Sequence, residues 1–94
     1  MKHYYATLGT MNNAVLTHSD MEKTPLGRKV RVYFERPVAG GFDFAEGDLP
    51  SGQFHKTGGF TDGELLQLQR YLKNNSPLIW EYAQKGGGLK CLAS

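Results

Sequence analysis

Between residues 28 and 36 the chain alternates with a period of two. Val30, Val32 and Phe34 are separated by Arg31 and Tyr33 and flanked by Lys29 and Glu35. Successive side chains of a strand point to opposite faces, so this pattern predicts a strand with one buried and one wet face. A parallel sheet is covered on both faces, so the pattern argues for an antiparallel one. It also demands an apolar layer over Val30, Val32 and Phe34. Pro37 has no N–H for a ladder bond and is expected to end the strand.

Residues 2–8, rich in Tyr and Thr, read as a first strand, and 14–18 as its return. Gly9 and the Asn12-Asn13 pair between them tolerate positive φ cheaply, which suits a hairpin turn. Residues 41–45 are a candidate fourth strand with Phe42 and Phe44 on one face, and Gln53 to Lys56 is a further candidate. Gly and Asp disfavour strands in both places.

The covering layer comes from the C-terminal third. Thr61-Asp62-Gly63-Glu64 fits a capping box, in which the Thr61 hydroxyl accepts the Glu64 N–H and the Glu64 carboxylate accepts the Thr61 N–H. Phe60 and Leu65 stand at the two positions of a hydrophobic staple. Leu65, Leu68, Tyr71 and Leu72 make an apolar stripe at helical spacing. Asn74-Asn75 is expected to break it. Ser76 then caps a second helix, with Pro77 at its first position. The fold class that follows is α+β: a small antiparallel sheet of three to four strands (2–8, 14–18, 28–36 and the candidate 41–45) with two C-terminal helices (62–73 and 77–85) packed on one face. The buried set is expected to include Tyr4, Ala6, Leu8, Leu16, Val30, Val32, Phe34, Leu65, Leu68, Leu72, Ile79 and Tyr82.

At 94 residues the chain is one domain's worth. It holds no run of apolar residues long enough to cross a membrane as a helix. Met1 to Tyr5 lacks the apolar stretch of a secretory signal, so a cytoplasmic location is expected. The net charge of +2 is too small to argue for nucleic acid by itself. Its distribution is uneven. Residues 1–36 carry six basic and three acidic side chains, 37–64 one and five, and 65–94 four and one. Cys91 stands alone, which excludes an internal disulfide and a cysteine metal cluster, and it reads as a thiol without a role.

No assembled catalytic set is visible. His3, His18 and His55 lack partners at ligand spacing, and no HExxH, CxxC pair, GxSxG, Walker loop or dinucleotide fingerprint occurs. No cofactor and no metal are expected. Asp43, Glu46 and Asp48 in the Gly-rich segment, with His55, could serve a small enzyme only if they converge in a pocket. Two interaction readings remain. In the first, the wet sheet face presents Tyr5, Lys29, Arg31 and Tyr33. Rings among cations can stack bases and neutralise phosphates of single-stranded nucleic acid. The strand 28–34 nevertheless lacks the glycines of an RNA-recognition strand, and the βαββαβ order is absent. In the second, these side chains and Trp80 anchor a protein partner or a second copy of the chain, as Tyr, Trp and Arg commonly do. Trp80 lies about 100° around the helix from Ile79, off the apolar stripe. The favoured expectation is a non-catalytic interaction module, a small adaptor, regulator or inhibitor. Single-stranded nucleic-acid binding is the alternative, and no membrane partner is expected.

Overall fold

The computed structural model describes residues 2–86. Six strands come first: β1 (His3–Leu8), β2 (Ala14–His18), β3 (Glu22–Thr24), β4 (Gly27–Val38), β5 (Gly41–Leu49) and β6 (Phe54–Gly58). One helix, α1 (Asp62–Gln84), ends the described chain. Every strand pairing is antiparallel, in the order β1-β2-β4-β5-β6, with β3 on β4. Among the described residues, the expectation of three to four strands and two helices is therefore corrected to six strands and one α-helix, with a single 3-10 turn at Gly9–Met11.

The helix is single because its apolar stripe keeps phase through the expected break. Leu72 and Ile79 are seven residues apart, which is nearly two full turns, and both are fully buried. Pro77 removes the N–H that would reach the Lys73 carbonyl. The Ser76 hydroxyl donates to that carbonyl instead, at 3.1 Å. Asn75, read as a breaker, donates its side-chain N–H to the Tyr71 carbonyl at 2.9 Å and accepts the Tyr5 hydroxyl at 2.7 Å. The polar insert is thus satisfied within the helix and against the sheet. The start follows the sequence closely: both capping-box hydrogen bonds form between Thr61 and Glu64.

The additional strands have local causes. β3 continues the lane of β2 along β4. His18 pairs with Val32 and Glu22 with Lys29, so the β2–β3 side holds one extra residue. Ser19 fills this bulge, its N–H donating to the Arg31 carbonyl and its hydroxyl accepting the Arg31 N–H, each at 2.9 Å. β5 runs to Leu49 despite its Gly and Asp residues because β4 pairs with its whole length and β6 with residues 44–47. Gly47 is required there, since a Cβ would strike the Gln53 carbonyl oxygen at the β5–β6 irregularity. Pro37 does not end β4. The β2 register stops at Val15–Glu35, so Pro37 faces a partner strand on one side only.

The core lies between one sheet face and α1. Leu16, Val30, Val32 and Phe34 from the sheet meet Leu68, Leu72 and Ile79 from the helix, all fully buried. Burial of each such side chain is worth about 1.5–3 kcal/mol. Most of the expected buried set is found there, but Tyr4 is 51% exposed while Tyr5 is buried. A bulge between Tyr4 and Ala6 in β1 inserts one residue and exchanges the two tyrosines between faces. At the helix start, Arg36 ties sheet to helix. Its guanidinium donates to Asp43 Oδ2 at 2.7 and 2.9 Å and to Glu64 Oε2 at 2.7 Å, with the Phe60 ring 4.5 Å away.

Candidate functional site

The five residues marked out in the sequence do not form one surface. Tyr5 is under the helix, its ring 5.9 Å from that of Tyr82, so it is no part of a wet platform. Burial, with Tyr71 and Tyr82 nearby, pushes its hydroxyl pKa up. Arg31 and Tyr33 do share the open sheet face. Lys29 lines a concavity beside the β3–β4 hairpin, and Trp80, half-buried against the core, lines another on the helix side. These two concavities share Leu49 and Pro50.

The open face carries rings, but two of its cations, Lys2 and Arg31, are paired with carboxylates. Tyr4, Thr17, Tyr33, Glu46 and Lys56 form one row across the sheet. Lys2 sits 4.1 Å from the Tyr33 ring centroid and 3.7 Å from the Glu35 carboxylate. Arg31 pairs with Glu22 at 2.9 Å, which raises its pKa. A concavity of about 220 Å³ lies among Tyr33, Phe42, Phe44, Glu46 and Lys56. Positive and negative groups alternate there, so the face offers no run of free cations to a phosphate backbone.

The acidic segment does not converge. Asp43 pairs with Arg36 and is used in the sheet-to-helix clamp. Glu46 and Asp48 lie opposite Tyr33 and Arg31 on the other face. His55 is exposed on the edge strand β6. Among the described residues, no group of three His, Cys, Asp or Glu side chains could hold a metal ion. No described helix is long and apolar enough to cross a membrane. Cys91 lies outside the described residues.

The strongest concentration of concave, apolar surface surrounds the turn after β5. β4 begins three residues before β5 reaches it, since Val30 pairs with Leu49. Residues 27–29 are paired only with β3, so the β3–β4 hairpin projects past the sheet. Between this hairpin and the Leu49–Pro50 turn lies a concavity of about 690 Å³. A second, of about 380 Å³, lies between the turn, Pro77 and Trp80. A third, of about 560 Å³, lies between the turn and the helix at Leu66, Arg70 and Lys73. All three share Leu49 and Pro50. Leu26 at the hairpin tip is fully exposed, and Leu66 is 61% exposed. Each borders a concavity that reaches Leu49 and Pro50, Leu26 the first and Leu66 the third. Sequence reasoning missed Leu26, Leu66, Arg28, Arg70 and Lys73. The available signal was Leu26 itself, an apolar side chain within the turn Thr24-Pro25-Leu26-Gly27.

No protein-family model matches the chain, and comparison with curated proteins and with solved structures finds no match.

Proposed function

We propose that this protein is a non-catalytic macromolecular interaction module that contacts a protein partner through the groove around Leu49–Pro50. The observation that carries the reading is the meeting of three concavities on one turn, flanked by the exposed Leu26 and Leu66. Shallow adjoining hollows with aliphatic and aromatic walls suit anchor side chains of a partner rather than a small substrate. The open sheet face supports single-stranded nucleic acid less well, because Lys2 and Arg31 are paired with carboxylates.

The test is affinity capture from the native host lysate with wild type and with a Leu26→Ser/Leu66→Ser double variant. Both leucines are exposed, so the variant is expected to fold and melt like wild type. A partner held by wild type and lost by the variant supports the reading. A partner held equally by both, or none above the resin control, overturns it.

A further inference from the structure

We infer that the groove around Leu49–Pro50 takes an acidic peptide segment bearing a central apolar anchor; this rests on the interaction reading above and adds the chemistry of the partner. The first observation is electrostatic. Lys2, Arg31, Arg36 and Lys85 each form an ion pair with a carboxylate. Six described cations form no ion pair: Lys23, Arg28, Lys29, Lys56, Arg70 and Lys73. Four of them, Arg28, Lys29, Arg70 and Lys73, line the hollows that share Leu49 and Pro50. The one carboxylate lining these hollows is Asp48, which accepts the Ser51 hydroxyl. The groove is therefore bordered by four unpaired cations against one hydrogen-bonded anion, a field that draws in negative charge.

The second observation separates a peptide from a nucleic acid. Single strands bind where successive bases find successive rings. This groove has one aromatic ring, Trp80; its apolar wall is aliphatic and prolyl, from Leu26, Leu49, Pro50, Leu66 and Pro77, interspersed with polar side chains such as Gln53 and Gln69. Such walls receive a Leu, Ile or Phe side chain. An extended peptide advances about 3.3 Å per residue, so its flanking carboxylates would reach Arg28 and Lys29 on one side and Arg70 and Lys73 on the other.

The test uses the full chain as bait for a displayed library of random dodecapeptides, with an oligo-dT strand as a parallel probe. Trp80 is the only tryptophan in the chain, so its emission reports occupancy of the groove. The expected selection is Asp- and Glu-rich peptides with one or two central apolar residues, whose titration shifts Trp80 emission saturably. Binding is expected to weaken about tenfold with Leu26→Ser, the loss of one buried leucine contact. Arg70→Glu/Lys73→Glu is expected to weaken it by about tenfold or more, with a comparable loss in high salt. Selection of neutral or basic peptides that still need Leu26 would overturn the acidic partner and leave the interaction reading standing. Selection of nothing, or of peptides indifferent to Leu26, would overturn both. Saturable oligo-dT binding tighter than that of any peptide would overturn the peptide in favour of nucleic acid.

Discussion

His18 is fully buried at the end of β2, and its ring is half satisfied. Nδ1 lies 2.8 Å from the Ser19 carbonyl, which can only accept, so Nδ1 carries the proton. Nε2 is buried with no partner, and burial lowers the pKa of the ring. Ser19 and Asp20 act the other way, whereas His3, with ring centroids 5.5 Å apart, adds to the lowering. Above the ordinary value of 6.5 the ring is neutral in both folded and unfolded chains. As pH falls below 6.5 the unfolded chain takes up the proton first, so stability is lost with acidification, at most about 1.4 kcal/mol per pH unit for one proton. We predict that urea-unfolding free energy falls from pH 7.5 to 5.5 more steeply in wild type than in His18→Asn, which keeps a donor near Nδ1 and cannot titrate. Equal slopes would show that His18 is not the titrating group. A separate acid limb belongs to Glu64. Arg36 first, and then the Thr61 N–H, hold its carboxyl at about 2, below the ordinary 4.5. Its contribution is complete above pH 4.5 and is lost as pH falls toward 2. Arg36→Met is expected to shrink that limb to the part that the Thr61 N–H sustains. Removing the cation leaves Asp43 and the partly exposed Glu64 without their shared partner, so stability at neutral pH is expected to fall as well.

Elements were legible where one local signal decided them. The alternation at Val30, Val32 and Phe34 placed β4 and its buried face, and the Thr61–Glu64 pair placed the start of α1. Illegible were the places where a tertiary partner satisfied a local breaker. Nothing in Asn74-Asn75-Ser76-Pro77 says that Tyr5 will bond Asn75, or that Ser76 will serve the carbonyl Pro77 abandons. The bulge in β1 was equally hidden, because Tyr4 and Tyr5 are chemically the same and only the bulge decides which is buried. Pro77→Ala restores the missing N–H and should raise stability by about 1–2 kcal/mol, somewhat less than the full helix-interior penalty of proline because the unfolded chain gains freedom. Ser76→Ala should cost about 1 kcal/mol in wild type and nearly nothing beside Pro77→Ala. Additive effects in this double-mutant cycle would remove Ser76 as the substitute donor. The junction from β6 into α1 is tested by Gly59→Ala. Gly59 has φ +88°, and a Cβ there would strike the Asp43 carboxylate that Arg36 holds. Strain and collision add, so the loss should exceed 1 kcal/mol, about the cost of a positive φ alone.

At the scale of the molecule, the site and the core occupy opposite ends of a stability gradient. The central lanes are clamped twice: Val32 and Phe34 are paired with β2 and β5 and covered by α1. The β3–β4 hairpin has neither advantage. Its residues 27–29 pair only with β3, and Leu26 at its tip touches solvent on all sides. This is why the candidate site was hard to see in the sequence. Apolar periodicity reveals what is buried, whereas Leu26, Arg28, Lys29, Pro50, Leu66, Arg70 and Lys73 are spread over forty-odd positions with no common period. Only the projection of the hairpin beyond β5 gathers them. Segments with few buried contacts open locally, at free energies well below that of global unfolding. Hydrogen exchange should therefore separate the two regions. Amides of Leu16, Val32 and Phe34 are expected to exchange only through global unfolding, and those of Lys23 and Arg28 by local opening, about a hundredfold faster or more. Binding of an acidic peptide at the Leu49–Pro50 groove should then slow exchange at Lys23, Arg28 and Ser51 while leaving β1 and β6 unchanged. Slowing confined to the open face, at Tyr33 and Glu46, would move the contact surface to the other side of the sheet.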